Sequence, residues 1–276
     1  MAKNALGDWL AALDSPGLCL PAFDIAAGQS EFLLGVLGAC EATRCPALLL
    51  VHAAREPYVG LAACAGVIRS RAARCSVPVM LHLDHGHDED IVTEALEAGF
   101  DGVMFDGSAC PLEENIRRTR AMADLAHTHG ALIEGELGLI DGGTPADPQD
   151  AARFVRETKV DVLAPAVGNV HGFYKEPPKL RFDVIEQIAA ATGVPLSLHG
   201  GTGIPLPDVC RAGQLGMRKM NIATALHQGF SDALRRSATD VPEGPSYWGK
   251  ALAAGRGAVQ DLASQYIREL HCEGLV

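Results

Sequence analysis

Residues 78–87 read PVMLHLDHGH, an apolar run that ends in a carboxylate and a cluster of imidazoles. The apolar half predicts a buried strand, and Gly86 marks the place where that strand breaks. A neutral imidazole is the commonest metal ligand, and a carboxylate beside a bound substrate can move a proton. Asp84 and His85 therefore predict a metal site with an acid/base group at the end of a strand.

Seven further apolar runs alternate with helical patterns along the chain. The predicted strands are Leu18–Ile25, Cys45–His52, Val77–Asp84, Gly102–Asp106, Ala131–Leu137, Val160–Val167, Val194–His199 and Arg218–Ala223. Nearly continuous apolar strands that alternate with helices indicate a parallel sheet with helices over its faces. Eight strand–helix units in order predict an α/β fold, a single-domain (β/α)8 TIM barrel, with a doubly wound open sheet as the alternative.

The predicted domain layout is simple. No linker, low-complexity tract or charge block divides the 276 residues, so one domain over 1–276 is expected. A short amphipathic helix is predicted within residues 1–16. An extra C-terminal helix over Ala251–Leu270 is predicted within an extension at 246–276, where it would cap the barrel or contact a neighbouring subunit.

Composition limits the partners. The formal charge of −11 disfavours nucleic acid or an anionic membrane as a partner, although backbone amides can bind a small phosphorylated substrate on an acidic protein. The eight cysteines form no CxxC pair, no apolar run approaches the ~20 residues of a membrane span, and the N-terminus lacks a signal-peptide pattern. A cytoplasmic protein with reduced thiols is expected.

Two more histidines stand at similar positions downstream, His171 before Gly172 and His199 before Gly200. They follow the sixth predicted strand and end the seventh, and the C-terminal ends of barrel strands form the rim where active sites lie. A lone histidine there is more often structural, but three histidines from strands 3, 6 and 7 predict a shared metal site. Three neutral imidazoles with an open fourth position are a catalytic zinc arrangement.

A glycine-rich turn, HGGTG at residues 199–203, comes directly before a predicted helix. Glycines let the backbone close on an anion, and amides together with the Thr202 hydroxyl can donate to phosphate oxygens. Asn221 and Thr224 close the neighbouring eighth strand. Such a turn can be only a tight loop, but its place after strand 7 favours phosphate binding.

Metal, phosphate and carboxylate together predict a reaction. A zinc ion can polarise a ketone and stabilise its enediolate, while the phosphate anchors one end of the substrate. Asp84 would move a proton on the side where the bond breaks. The combination predicts reversible aldol cleavage of a phosphorylated ketose.

The same residues resemble the class II, zinc-dependent ketose-bisphosphate aldolases, the family of fructose- and tagatose-bisphosphate aldolases. The matching segments are 81–86 (LHLDHG), 99–101 (GFD), 103–108 (VMFDGS), 134–138 (EGELG), 171–172 (HG), 174–175 (YK), 178–180 (PKL), 199–203 (HGGTG) and 219–224 (KMNIAT). They occur in the family's order across roughly residues 18–235, and together they are highly specific.

The resemblance implies catalytic roles for the matching residues. It implies that His85, His171 and His199 bind one catalytic zinc ion per subunit. It also implies that Asp84 is the acid/base at the C4 hydroxyl, and that Glu136 is a carboxylate able to approach the metal.

The resemblance further implies a phosphate site and an assembly. The residues placed around the phosphate of dihydroxyacetone phosphate are Gly172, Lys175, Gly200, Gly201, Thr202 and Thr224, with Asn221 near the enediolate. Backbone carbonyls around Gly172 and Gly200 would hold a sodium or potassium ion. A homodimer or homotetramer is expected.

The chain departs from the family's pattern at the aldehyde end. The family usually has a long loop with an acid that handles the C3 proton, whereas here the loop is shorter and Asp141 or Asp147 is the candidate substitute. Asp24 stands where the family usually has Asn, and His52 stands where it usually has Ser. We therefore expect dihydroxyacetone phosphate as the donor and an aldehyde other than glyceraldehyde 3-phosphate. The alternative is an ordinary fructose- or tagatose-1,6-bisphosphate aldolase.

Three other readings compete with a zinc aldolase. The His85-x-His87 pair fits a metal-dependent hydrolase, although it would leave the glycine-rich turn unexplained. Lys219 or Lys175 would be the nucleophile of a Schiff-base aldolase. The shortened loop is compatible with a non-catalytic barrel that serves as a binding subunit.

Overall fold

The computed structural model describes residues 15, 17–26, 29–52, 60–140, 144–174, 176, 178–239 and 248–276. Within these residues, eight parallel strands close into one barrel in sequence order. The strands are β1 Leu20–Asp24, β2 Ala47–His52, β3 Val79–Gly86, β4 Gly102–Phe105, β5 Leu132–Leu137, β6 Val162–Pro165, β7 Leu196–Leu198 and β8 Met217–Ile222. The predicted TIM barrel is confirmed, and the open sheet is wrong.

A helix follows each strand and packs outside the barrel. The helices of the described residues are α1 Ser30–Thr43, α2 Leu61–Ala72, α3 Glu89–Glu97, α4 Leu112–Thr128, α5 Pro148–Thr158, α6 Phe182–Thr192, α7 Leu206–Gln214, α8 Thr224–Ala238 and α9 Gly249–Glu269. No helix within the described ranges is long and apolar enough to cross a membrane.

The barrel closes where β1 pairs with β8. Ala22 lies opposite Asn221 on one side of β1, and Asp24 lies opposite Leu50 on the other. All the residues of β1 and β3 are buried, as expected for strands with side chains inside the barrel on one face and helices on the other. The closure brings the C-terminal ends of all eight strands to one rim.

Local signals set several helix ends. Asp88 precedes α3 and accepts a hydrogen bond from the Ile91 amide at 2.8 Å, as its position before the apolar pattern predicts. Ser30 is the first residue of α1, and its hydroxyl donates to the Glu31 carboxylate at 2.7 Å. α6 ends at Gly193, whose φ of 68° is readily adopted by glycine.

The predicted C-terminal helix exists as α9 and packs against α1 and α8. A Cβ at Gly35 would come within 2.9 Å of Val259, and one at Gly255 within 2.5 Å of Phe230, so small residues permit this close packing. The amide of Val276 donates to the Arg44 carbonyl at 3.1 Å, which fixes the chain end against the loop after α1. Of the helix predicted within 1–16, only Ser15 belongs to the described residues.

The predicted strand boundaries agree with the structure to within two residues at each end. β3 continues to Gly86, so His85 lies in the strand rather than beyond it.

Candidate active site

The end of β3 presents two adjacent residues to the same rim. In a regular strand, Asp84 and His85 would point to opposite faces. His85, however, has φ of 53°, and the pairing of β3 with β4 shifts register between Leu83 and Gly86. Such an irregularity re-aims a side chain and is frequent beside active sites. The imidazole of His85 and the carboxylate of Asp84 can therefore both face the centre of the rim.

Three histidines converge there. Ring nitrogens of His85, His171 and His199 lie within 4.8 Å of one another, and Nε2 of His85 lies 3.1 Å from Nδ1 of His199. Zinc binds imidazole nitrogen at about 2.0–2.1 Å, which places two tetrahedral ligands about 3.3 Å apart. The histidines predicted from the sequence therefore form a group that can hold a metal ion.

The outer nitrogens of two of these rings face carboxylates. His85 Nδ1 lies 3.1 Å from Asp106 Oδ2, and His199 Nε2 lies 2.7 Å from Glu134 Oε1. A carboxylate accepts a hydrogen bond, so each outer nitrogen carries the proton and each inner nitrogen of a neutral ring presents a lone pair. When both rings are neutral, their inner nitrogens, 3.1 Å apart, can share a cation, so a metal ion fits this donor set.

The pKa values of the two rings reflect the same surroundings. Burial lowers the pKa of His199 to about 4 despite the nearby Glu134 carboxylate. Burial also acts to lower the pKa of His85, but Asp84, Asp106 and Glu136 outweigh it and raise the pKa to about 9. Positive charge is therefore favoured at His85 before any metal is bound.

Asp84 lies beside the three histidines and is held in place. Its Oδ1 accepts a hydrogen bond from Asn221 Nδ2 at 2.9 Å. Burial acts to raise the pKa of Asp84, but the nearby basic groups, led by His85 and His199 and including Lys219, outweigh burial and lower the pKa to about 2. Asp84 is thus an ionised, oriented carboxylate that can accept a proton.

The described residues leave Glu136 and Asn221 incompletely hydrogen-bonded. Glu136 Oε2 and Asn221 Oδ1 are buried, and neither finds a hydrogen-bond partner within the described residues. Burial and the Asp106 carboxylate raise the pKa of Glu136 to about 8. Buried polar atoms without partners are costly, so these two indicate that a ligand normally occupies the site.

The glycine-rich turn after β7 packs too closely for side chains. Gly200 has φ of 64°, and a Cβ there would overlap the Val170 carbonyl oxygen, while a Cβ at Gly201 would come 2.5 Å from Met220. Thr202 Oγ1 accepts from the amide of Ala225 at 3.1 Å. The turn is therefore joined to the first turn of α8, where backbone amides can bind an anion.

The other predicted phosphate residues surround this turn. Thr224 is the first residue of α8, and Gly172, with φ of 81°, follows His171 in the loop after β6. Lys175 lies outside the described residues. The structure thus brings the turn, the loop after β6 and the start of α8 to the same rim.

Two residues to which the sequence assigned no role hold the loop that carries His171. Asn169 is buried, accepts from the Val167 amide at 2.9 Å and donates to the His199 carbonyl at 3.1 Å. The hydroxyl of Tyr174 accepts from the Val170 amide and donates to the Gly200 carbonyl at 3.2 Å. Tyr174 belongs to a matching motif, but nothing in the spacing of Asn169 indicated its contacts.

A buried ion pair lies deeper in the barrel. Lys219 Nζ is 2.7 Å from Glu134 Oε2 and 3.3 Å from Ser197 Oγ, and its side chain is 3% exposed. An ammonium group enclosed by these partners is poorly placed to attack a substrate ketone. Lys219 is therefore not available as the nucleophile of a Schiff-base aldolase.

Comparison with known proteins decides the family. The family model described as "Fructose-bisphosphate aldolase class-II" matches residues 4–275. The chain is a class II aldolase. As a member of that family it is an enzyme, a carbon–carbon lyase, and the predicted resemblance is confirmed.

Individual relatives agree with this assignment. The chain is 35% identical over 258 residues to the fructose-bisphosphate aldolase of Geobacillus stearothermophilus, covering 88% of this chain and 89% of the relative. It is also 35% identical over 255 residues to the sulfofructosephosphate aldolase of Alkalicoccus urumqiensis, covering 88% of each. The YdjI aldolase of Escherichia coli K12 superimposes with a TM-score of 0.88 at 32% identity, covering 99% of this chain and 98% of that structure.

The two residues at which this class II aldolase departs from the family's usual pattern, Asp24 and His52, lie on β1 and β2. His52 pairs in register with Asp84, and its ring centroid is 5.3 Å from that of His85. Asp24 is fully buried and accepts from the Ala26 amide at 2.6 Å. His52 therefore borders the metal-binding group, while Asp24 lies two strands from Asp84.

Two other histidines lie close to carboxylates. His227 packs against the ring of Phe32, and its Nε2 lies 3.3 Å from Asp24 Oδ1. His87 lies in the loop before α3 and is 59% exposed, with Nδ1 3.3 Å from Asp106 Oδ2. Both contacts join elements that are distant in sequence, so local spacing did not indicate them.

Of the two candidate substitutes for the loop acid, Asp147 lies in the described part of the chain. Asp147 caps α5, with its carboxylate accepting from the amides of Gln149 and Asp150. Asp141 lies outside the described residues. Capping of α5 therefore explains the presence of Asp147 without a catalytic role.

Proposed function

We propose that this class II aldolase catalyses zinc-dependent, reversible aldol cleavage of a phosphorylated ketose, with His85, His171 and His199 as the zinc ligands. One observation carries the proposal: Nε2 of His85 and Nδ1 of His199 lie 3.1 Å apart while the outer nitrogens of both rings face carboxylates. A zinc ion bound there polarises the donor ketone and stabilises negative charge on its oxygen.

The chain's own groups move the protons and position the donor. Asp84 accepts the proton of the C4 hydroxyl during cleavage and returns it during condensation. Asn221 holds Asp84 through the 2.9 Å hydrogen bond and directs its free oxygen toward the donor. Glu136, with a pKa of about 8, can approach the metal or hold a proton beside it.

The phosphate of dihydroxyacetone phosphate binds at the rim between β6 and α8. The groups assigned to it are Gly172, Lys175, Gly200, Gly201, Thr202, Asn221 and Thr224. Support comes from the backbone of the glycine-rich turn, which lies against the first turn of α8 through the 3.1 Å bond between Thr202 and Ala225. Carbonyl oxygens around Gly172 and Gly200 are assigned to a sodium or potassium ion.

The aldehyde released is not glyceraldehyde 3-phosphate. We assign Asp24 and His52 to the aldehyde end, where the resemblance implies uncharged Asn and Ser, and a carboxylate there would repel a second phosphate. Relatives at the same 35% identity are named for different substrates, fructose bisphosphate and sulfofructosephosphate. Identity at this level is therefore compatible with a changed acceptor.

The donor half-reaction can be tested without knowing the aldehyde. The protein is incubated with dihydroxyacetone phosphate in deuterated water, and loss of the C3 proton signal is followed by NMR. We expect exchange that stops after chelation and recovers when zinc returns. Absence of exchange in zinc-loaded protein would contradict this donor.

The names of the relatives favour one alternative, an ordinary fructose-1,6- or tagatose-1,6-bisphosphate aldolase. A panel of aldehydes with dihydroxyacetone phosphate, and of ketose phosphates in the reverse direction, separates the two. If fructose 1,6-bisphosphate gives the highest kcat/KM, the unusual acceptor is wrong and the alternative stands.

The protein acts as a cytoplasmic homodimer or homotetramer. This part of the proposal rests on the family resemblance and on the composition. Light scattering on the purified 29.0 kDa chain would give twice or four times the mass of one subunit. A monomer at micromolar concentration would contradict it.

A further inference from the structure

A second polar layer lies directly beneath the candidate active site. Four strands contribute residues two positions apart, which face the same side of the sheet. The upper members are Asp84, Glu136, His199 and Asn221, and the lower members are His82, Glu134, Ser197 and Lys219. All four lower residues are buried, where TIM barrels usually have branched apolar side chains. Their polarity therefore calls for an explanation.

The lower layer is connected to the upper one through Glu134. Its Oε2 accepts from Lys219 Nζ at 2.7 Å, and its Oε1 lies 2.7 Å from His199 Nε2. His82 Nε2 approaches Oε2 at 3.5 Å. One carboxylate is thus shared between an ammonium group below and a proposed zinc ligand above.

Stability is a weak explanation for this pair. Desolvation of two charges offsets much of their attraction, so apolar residues of similar volume often give equal stability. A metal-binding histidine, in contrast, commonly donates its second N–H to a carboxylate that fixes its tautomer and ring orientation. The 2.7 Å contact has this geometry, and Lys219 compensates the charge of the carboxylate.

We propose that Glu134, held by Lys219, is a positioning residue that keeps His199 protonated at Nε2 and presents Nδ1 to the zinc ion. The inference rests on the zinc site of the proposed function. It assigns the lower polar layer a role in metal affinity rather than in folding or in substrate contact.

The tautomer can be measured in the zinc-loaded wild-type protein. Long-range proton–nitrogen NMR distinguishes the two nitrogens of each imidazole, and a His199→Gln variant identifies the signals of His199. We expect the Nε2–H form with zinc on Nδ1. The Nδ1–H form would overturn the inference, and this result does not depend on any variant folding.

Zinc affinity provides the second test. A Glu134→Leu/Lys219→Met double variant removes the acceptor of His199 and both buried charges, so no lone charge remains to unfold the barrel. Competition with a chromophoric chelator should show about 10- to 100-fold weaker zinc binding. The absorption bands of the cobalt-substituted protein should shift, while the melting temperature of the metal-free form stays near that of the wild type.

A matched control is available at the other end of the barrel. His127 Nε2 lies 3.0 Å from Asp161 Oδ2, so Asp161→Asn changes a similar histidine–carboxylate pair away from the rim and should leave zinc affinity unchanged. If the double variant binds zinc like the wild type, with an unchanged cobalt spectrum, the positioning role of Glu134 is refuted while the proposed zinc site stands. If the wild type itself binds no zinc, the proposed function fails as well.

Discussion

At the scale of single residues, the backbone of His85 decides how the site is assembled. Its φ of 53° is unusual for a residue with a side chain and costs about 1–3 kcal/mol. The strain is placed where it lets a carboxylate and an imidazole, adjacent in sequence, face one substrate. The sequence predicted both residues but placed His85 beyond the strand, because a bulge depends on the pairing with β4.

Asp84→Asn separates the two halves of the proposed reaction. The variant keeps an oxygen that can accept from Asn221 but cannot take the C4 hydroxyl proton. We expect C3 proton exchange of dihydroxyacetone phosphate to persist, while carbon–carbon cleavage falls by about 10²–10⁴-fold. NMR exchange and a coupled cleavage assay measure the two steps. Asp183→Asn, at an exposed ion pair on α6, is the control, and equal loss of both steps would contradict the assignment.

Gly200→Ala tests the glycine-rich turn. The added methyl would overlap the Val170 carbonyl, and φ of 64° is itself unfavourable for alanine. We expect a marked rise in KM for the phosphorylated substrate and a loss of stability. Gly193→Ala is the matched control, since φ of Gly193 is 68° and no atom lies within 4 Å of the new Cβ. This variant should lose only about 1–2 kcal/mol of folding stability. Similar KM values in both variants would argue against a phosphate site at the turn.

At the scale of elements, sequence patterns predicted far more than they did at the scale of contacts. Continuous apolar runs located all eight strands because each strand is buried on both faces. The contacts of Asn169 with His199, or of His227 with Asp24, join residues far apart in the chain. No local pattern encodes such pairs, so the fold and the three clustered histidines were predictable while their supporting residues were not.

The start of α5 yields a prediction about the missing loop acid. Asp147 accepts from two backbone amides, so Asp147→Ala should destabilise the protein by about 1 kcal/mol, whereas Asn caps a helix as well as Asp does. We expect Asp147→Asn to retain both stability and C3 proton exchange. Thermal unfolding and NMR exchange check this outcome. Loss of exchange with unchanged stability would instead make Asp147 the substitute acid.

At the scale of the whole molecule, the proposed zinc ion links distant parts of the barrel. His85 belongs to β3, His171 to the loop after β6, and His199 follows β7. Binding should therefore stabilise the fold, by about 2.7 kcal/mol when free zinc exceeds its Kd about 100-fold. Melting curves with and without zinc measure this shift. His171→Ala should abolish it, and an equal shift in that variant would contradict the ligand set.

The closure of β1 on β8 has a consequence for how the protein is made. Residues 20–24 leave the ribosome early, but their partner on one side, residues 217–222, follows far later. At about 5–20 residues per second, the nascent chain carries an unpaired strand edge for roughly 10–40 s. Such edges invite pairing with other chains. Chaperones that shield nascent polypeptides should therefore raise the soluble yield of this barrel more by acting during translation than after it.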